Sequence, residues 1–264
     1  MKTIAITGAA SGIGAATAKQ LSDAGHRVIG IDIQNSDIVA DLATPDGRQS
    51  AIDAILNTCD GTLDGLVPCA GLSGLPNRPG SLLVSLNYFG SIELFEGLRG
   101  ALAASDAGAA IGLCSNSTTT APALPMELAE ACNTGDEEHA REVGDKVGSL
   151  RAYAATKVAL ARWVRRNATT EQWVGEGITL NAIAPGKTET AMVAEGMADP
   201  VIGPHMDKFP VPVGRNGKPE EIASLLCFLL GPDARFFVGS LIYCDGGTDA
   251  LLRPDDWPAP MVVK

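Results

Sequence analysis

Apolar, β-branched runs alternate with stretches of helical spacing along almost the whole chain. Lys2–Thr7 is a short β-rich run. In Ser11–Ala24, Ile13, Ala16, Thr17 and Leu21 recur at helical spacing until Gly25 ends the pattern. Arg27–Ile31 and Ile38–Ala40 read as strands, Pro45–Thr58 as a helix that starts on proline, and Leu63–Val67 as the next strand. The pattern then predicts a helix over Leu83–Ala103, a strand over Ala109–Cys114 and a long helix over Ser149–Val174. A strand at Ile178–Ile183, a helix at Pro219–Leu230 and a strand at Ser240–Tyr243 complete the order. No repeat or linker interrupts it. Such alternation predicts one α/β domain with a parallel sheet covered on both faces, because parallel neighbours need crossover connections.

Composition narrows the partners. The chain has 264 residues, 45% of them hydrophobic, enough to bury a sizeable core. A formal charge of -11 argues against nucleic-acid and anionic-membrane partners. No apolar stretch approaches the roughly 20 residues that span a bilayer. The opening MKTIAITGAA runs straight into a glycine turn, so it reads as a strand and not as a signal peptide. Cys59, Cys69, Cys114, Cys132, Cys227 and Cys244 form no CxxC pair, and His26, His139 and His205 lie far apart. Free thiols in the reducing cytoplasm, and no metal, are the expectation.

The candidate chemistry begins after the first strand, at Gly8-Ala-Ala-Ser11-Gly12-Ile13-Gly14. Glycines between a strand and a helix allow a tight turn, let backbone approach a pyrophosphate, and leave the helix N-terminus to face the phosphates. An ordinary strand-to-helix turn can also want glycine. The second strand ends on Asp32, followed by Ile33; a carboxylate there accepts bonds from ribose hydroxyls and repels a 2′-phosphate, which favours NAD over NADP. An N-cap or turn aspartate is the alternative. Asp41-Leu42 is placed to flank the adenine ring, or is a simple loop.

Further on, Arg151-Ala-Tyr153-Ala-Ala-Thr-Lys157 sets a phenol and an ammonium one helical turn apart. A cation at that spacing lowers a phenol's pKa and suits it to proton transfer with an alcohol or ketone; an ordinary surface pair has the same spacing.

Gly8-x-x-x-Gly12-x-Gly14, Asp32, Cys69-Ala70-Gly71, Asn87, Ser115, Tyr153/Lys157, Pro185-Gly186 and Asp245-Gly246-Gly247 stand in the order found in the short-chain dehydrogenase/reductase family. The chain resembles that family over residues 1 to about 252. The resemblance implies a three-layer, Rossmann-like, doubly wound parallel sheet of seven strands, bound NAD, and hydride transfer to or from a carbonyl carbon. It implies Tyr153 as acid/base, Lys157 as the residue that holds the nicotinamide ribose and depresses the phenol pKa, and Ser115 as the donor to the substrate oxygen. It also implies Asn87 in a water and lysine relay, Pro185, Gly186 and Thr188 against the nicotinamide carboxamide, and Thr190 beside them. A regulatory protein that binds NAD(H) without turnover is the other reading, and it would not require the intact Ser115/Tyr153/Lys157 set.

Three departures change the expectation. Pro68-Cys69 replaces the usual pair of asparagines, making Cys69 a wall residue near the adenosine. Ser117 lies close enough to Ser115 to compete for the inward position, which Ser115 is expected to hold. An acidic insertion of about 121–150 lengthens the Ser115–Tyr153 interval, and with the opening residues it resembles the bacterial 3α-hydroxysteroid dehydrogenase/carbonyl reductase branch. A 3-hydroxysteroid or other bulky apolar carbonyl compound is the implied substrate. Its lid is expected over about 187–218, where Met192, Val193, Met197, Met206, Phe209 and Val211 are apolar. The insertion is read as solvated helix that caps the Ser149–Val174 helix, closes off that face to a twofold mate and forms a rim of the cleft. A homodimer or homotetramer would then pair through the Pro219–Leu230 helix and the last strand. Residues 253–264 read as an extended tail.

Overall fold

The computed structural model describes residues 1–256. Seven strands form one sheet: β1 (Thr3–Thr7), β2 (Arg27–Asp32), β3 (Ile38–Val39), β4 (Gly65–Pro68), β5 (Ala109–Leu113), β6 (Thr179–Pro185) and β7 (Leu241–Cys244). They are ordered β3-β2-β1-β4-β5-β6-β7, and all adjacent pairs are parallel. β1, β4 and β6 are almost wholly buried because both faces of the sheet are covered. Chain order reverses between β1 and β4, which opens a crevice at the strands' C-terminal ends.

The helices are α1 (Gly12–Asp23), α2 (Pro45–Thr58), α3 (Gly80–Leu83), α4 (Gly90–Ala103), α5 (Ser117–Thr120), α6 (Met126–Cys132), α7 (Glu137–Val147), α8 (Ser149–Asn167), α9 (Ala191–Ala198), α10 (Gly203–Asp207), α11 (Pro219–Leu229) and α12 (Thr248–Leu252). One face of the sheet packs on α2, α4 and α8 around Ile55, Leu66, Leu98, Leu160 and Leu180, and the other on α1 and α11 around Ile6, Leu21, Val67, Ile222 and Leu226. Among the described residues, no helix is long and apolar enough to cross a membrane. Arg253–Asp256 ends in a turn; the rest of the predicted tail lies outside the described residues.

Two predicted helices differ from those observed. The Leu83–Ala103 helix is interrupted by a π-helical turn at Val84–Phe89, between α3 and α4. The turn lets Asn87 bond backwards to Leu72 while α4 still presents Leu94, Phe95 and Leu98 to the core. The long helix stops at Asn167 and not at Val174. There Asn167 and Thr170 turn their side chains onto local carbonyls, and the chain doubles back to bury Trp173 against Phe95 and Trp163.

The insertion folds as α6 and α7. Leu128, Ala129, Cys132 and Ala140 are buried in the main core, so the segment covers α8 as a packed layer and not merely as a solvated helix. Gly80 and Gly144 permit a close approach of α3 and α7, since a Cβ on Gly80 would lie 2.0 Å from the Gly144 carbonyl oxygen and one on Gly144 2.9 Å from Val84 Cγ2. Glu137 and Glu93 both pair with Arg48, whose side chain is 1% exposed. Glu127, Glu130, Asp136, Glu138 and Glu142 remain exposed, as a charge run ordinarily does.

Candidate active site

The glycine turn is compact because side chains cannot fit it. Gly8 has φ +66°, and a Cβ there would sit 2.9 Å from the Ala70 amide nitrogen; one on Gly14 would sit 2.2 Å from the Gly8 carbonyl oxygen. Ser11 caps α1 with extended backbone, but its side chain makes no capping bond. The first N–H groups of α1, at the positive end of the helix, therefore remain available to an anion. Across the crevice Asp32 is held in place: Oδ2 accepts from Ala10 N at 3.0 Å and Oδ1 from Ile33 N at 2.7 Å.

A cavity of about 490 Å³ runs along the strand ends. Gly8, Ser11, Gly12, Ile13 and Gly14 form its floor; Asp32, Ile33, Asp41 and Leu42 line the β2–β3 end, and Cys69, Ala70 and Gly71 the middle. Ser115, Tyr153, Lys157, Pro185, Gly186, Thr188 and Thr190 line the β5–β6 end. Ser115 takes the inward position. Its Oγ accepts from Ser117 N at 3.1 Å, while Ser117 Oγ is buried off the cavity. The Pro185-Gly186 turn fits closely on the Asp245-Gly246-Gly247 turn, since a Cβ on Gly186 would meet Asp245 Cα at 2.6 Å.

Tyr153 and Lys157 project from the buried side of α8. Burial pushes the Tyr153 phenol above its ordinary value, and the Ser115 hydroxyl beside it acts in the opposite direction by favouring the phenolate. Lys157 was expected to depress the phenol, but its Nζ donates to the Leu113 carbonyl at 2.7 Å and stands 6.0 Å from the Tyr153 ring centroid. Burial holds the Lys157 ammonium below the usual lysine range, with Cys114 and Cys69 opposing. Both thiols are pushed up to about 12 by burial, which makes them inert walls and not nucleophiles.

Asn87 does not line the cavity. Its Oδ1 accepts from Leu72 N at 2.8 Å and its Nδ2 donates to Leu72 O at 2.9 Å, so the amide clasps the loop after β4. Asn87 and the lysine both stand against Gly71 of that loop: a Cβ on Gly71 would be 3.0 Å from Asn87 Oδ1 and 3.8 Å from Lys157 Nζ.

The segment after β6 closes over the β5–β6 end. Its limbs pair where Thr188 bridges to Gly217, and Met192 and Val193 on α9 reach the cavity. Facing it is the loop after β4 and not the insertion, of which no residue lines the cavity. That loop reaches the lid through Arg78, which donates to Glu195 Oε1 at 2.7 Å and Oε2 at 2.9 Å. The insertion stands behind it, with Asp145 accepting from Ser81 N at 2.8 Å. Sequence reading missed the apolar lining from Leu72, Leu82, Leu86 and Leu113. The one-turn spacing of Leu82 and Leu86 was the available signal.

The chain is similar to known proteins over most of its length. The short chain dehydrogenase family model matches residues 2–125, and a second, described as Enoyl-(Acyl carrier protein) reductase, matches residues 137–249. The chain is 42% identical over 258 residues to the 3-alpha-hydroxysteroid dehydrogenase/carbonyl reductase of Comamonas testosteroni, covering 96% of this chain and 99% of that protein. It is 29% identical over 263 residues to the cis-4-hydroxycyclohexanecarboxylate dehydrogenase of Sinomonas cyclohexanicum, covering 93% and 96%. The crystal structure of the 3-alpha-hydroxysteroid dehydrogenase from Pseudomonas sp. B-0831 complexed with NADH superposes with a TM-score of 0.92 at 44% identity, over 97% of this chain and 100% of that one.

Proposed function

The chain belongs to the short-chain dehydrogenase/reductase family of oxidoreductases, and on that premise we propose that it interconverts a bulky, apolar secondary alcohol and its ketone with NAD, a 3-hydroxysteroid being the first substrate to try. The observation that carries the reading is the meeting of Ser115, Tyr153 and Lys157 in the same cavity as a glycine turn that only backbone can fill. A binding protein without turnover would need the turn but not the three side chains.

The residues present fit a dinucleotide. The open N-terminus of α1 and the Gly8–Gly14 turn suit its pyrophosphate, and Asp32 suits an unphosphorylated adenosine ribose. Asp41, Leu42 and Cys69 would flank the adenine side, with Lys157, Pro185, Gly186, Thr188 and Thr190 at the nicotinamide side. Bound there, NAD(H) supplies or accepts the hydride. Tyr153 gives its phenolic proton to the carbonyl oxygen in reduction and removes the hydroxyl proton in oxidation. Ser115 donates a hydrogen bond to the same oxygen and holds it in line with the phenol. Lys157 contributes positive charge and a grip on the nicotinamide ribose. Asn87 keeps the Leu72 loop against that lysine, a positioning role in place of the relay that the family resemblance implies. The lid residues Met192 and Val193 exclude water over an apolar substrate.

The test is a panel of 3-keto- and 3-hydroxysteroids and simple cyclic ketones and alcohols, assayed with purified protein by NADH absorbance. Turnover of simple ketones alone removes the steroid. No turnover of any carbonyl compound, with NADH bound, returns the reading to a binding protein.

For assembly we propose a homo-oligomer that pairs through α11 and β7, because α6 and α7 cover the α8 face. On α11, Leu226 and Leu229 face the core while Phe228 is exposed, as is Phe236 between α11 and β7. Sedimentation of Phe228→Glu as a monomer supports this, and an unchanged oligomer removes it.

A further inference from the structure

The turn that carries Ser115 is fastened to the end of the chain by side chains that the proposed chemistry does not use. Thr119 Oγ1, on α5, donates to Asp249 Oδ1 at 2.5 Å, and Arg253 Nε donates to the same oxygen at 3.1 Å. One residue after Ser115, Asn116 Nδ2 donates to Asp245 Oδ2 at 3.4 Å, and that oxygen also accepts from Asp249 N at 2.8 Å. Thr118 Oγ1 and the Tyr243 hydroxyl lie 3.3 Å apart. The neighbouring Thr248 hydroxyl donates to the Pro210 carbonyl at 2.8 Å, so α12 also holds the returning limb of the lid.

Asp249 is 8% exposed. A carboxylate so deep is held by its donors and by the Arg253 cation, and losing them leaves a charge without partners. The backbone on either side of Ser115 is tied to β6, through Cys114 N to Ile183 O and Asn116 N to Pro185 O, both at 2.9 Å; within the turn, Ser115 Oγ accepts from Ser117 N and its carbonyl accepts from Thr118 Oγ1 at 2.8 Å. The Cα of Ser115 is therefore set by β6, but the aim of its hydroxyl follows α5, which is a single turn too short to fix itself.

We propose that Asp249 is a positioning residue for the reaction: through Thr119 it sets the Ser115 hydroxyl against Tyr153, and so makes proton transfer depend on the C-terminal helix. The inference rests on the reading that Ser115 and Tyr153 act together. The ionisable groups around the phenol are Lys157 on α8, Cys114 at the end of β5 and Cys69 beyond β4; those around Asp249 are Arg253 and Asp245. Neither aspartate borders the phenol directly, so an effect of Asp249 on phenol ionisation must travel through the turn. The Ser115 hydroxyl favours the phenolate, so a displaced turn moves Tyr153 ionisation to higher pH.

The experiment compares Thr119→Val, Thr119→Ser, Asp249→Ala and the double variant Thr119→Val/Asp249→Ala with Ser115→Ala. Tyrosinate formation is followed by ultraviolet difference titration of the protein without substrate, the Tyr153 transition being assigned with Tyr153→Phe. The alkaline limb of alcohol oxidation is measured alongside. Thr119→Val and Asp249→Ala should move both in the direction of Ser115→Ala and lower kcat/KM at neutral pH by roughly threefold or more, with little change in the KM for NAD. The double variant should move no further than either single one, and Thr119→Ser, which keeps the hydroxyl, should titrate like the parent. A Thr119→Val protein that melts earlier yet keeps the parental titration and limb has lost only a structural bond, and that result overturns the proposal whatever becomes of Asp249→Ala. If Ser115→Ala itself leaves the titration in place, the pairing of Ser115 with Tyr153 is what has failed.

Discussion

Replacing Asp32 by asparagine should relax the choice between NAD and NADP, and the structure sets the scale. The carboxylate cannot swing aside, because one oxygen is held by Ala10 N at 3.0 Å and the other by Ile33 N at 2.7 Å. A 2′-phosphate would therefore meet a fixed negative charge. Two unit charges 4 Å apart interact by about 4 kcal/mol at an effective dielectric near 20. Asp32 is only half-buried, so solvent and salt take back much of that. A third of it, about 1.4 kcal/mol, still makes a tenfold preference for NAD in kcat/KM. Asparagine keeps the shape and an oxygen for one backbone N–H while removing the charge. Asp32→Ala gives up both backbone bonds, and its NAD activity should fall further. The assay is the ratio of kcat/KM values for the two cofactors at fixed ionic strength. Raising the salt should shrink the parental preference and leave that of Asp32→Asn alone. Equal efficiency with both cofactors in the parent, or an unchanged ratio in Asp32→Asn, would refute the argument.

Tyr153→Phe should bind NADH almost normally by fluorescence titration yet lose on the order of 10²-fold or more in kcat, and near-normal turnover rules out the phenol as proton carrier. Because burial raises the Tyr153 pKa, oxidation, which needs the phenolate, should climb with pH through the alkaline range, while reduction, which needs the phenol, should persist there; a rate–pH profile flat above neutrality contradicts this. Arg48→Leu leaves Glu93 and Glu137 facing an apolar side chain, and denaturant unfolding should show a loss of about 3–5 kcal/mol, where a loss below about 1 kcal/mol would mean the carboxylates simply turn to solvent. Glu195→Gln should loosen the lid instead of the fold: hydrogen exchange in α9 should quicken and the KM for the ketone rise several-fold, with only a small change in melting temperature, since Glu195 is half-exposed. Unchanged exchange in α9 would show that Arg78 does not hold the lid.

Much of this was legible because the signals were local. The parallel, doubly covered sheet follows from alternation and the crossover rule, and the glycine turn, Asp32 and the Tyr153/Lys157 pair each depend on spacing along one or two elements. What stayed hidden depends on partners distant in the chain. Nothing in Val84–Phe89 marks a π turn, because the demand for it comes from Leu72, and Trp173 ends the α8 helix early because Phe95 and Trp163 are waiting to cover it. The insertion's charges misled for a similar reason. They describe its outer face, while its docking is decided by Leu128 on α6 and by Ala140, Val143, Gly144 and Val147, which recur at helical spacing along the inner face of α7. The lysine's bond to the Leu113 carbonyl belongs to the same class, since that carbonyl is 44 residues away.

The π turn at Val84–Phe89 also fixes a rotational phase. A regular α-helix advances 100° per residue, and the wide turn absorbs one surplus residue without passing that rotation on. Asn87 and the α4 core face, a turn or two beyond it, are thus set at angles that no unbroken helix could satisfy together. Removing one residue, for example Ser85, would leave the hydrophobic pattern almost intact and look harmless in an alignment. The straightened helix would then have two ways to settle. It could keep Leu94, Phe95 and Leu98 inward and swing the amide away from Leu72, or keep the amide and turn those three side chains toward water. The first choice is far cheaper in buried area, so the shortened protein should fold and bind, with its defect showing in the loop beside Lys157.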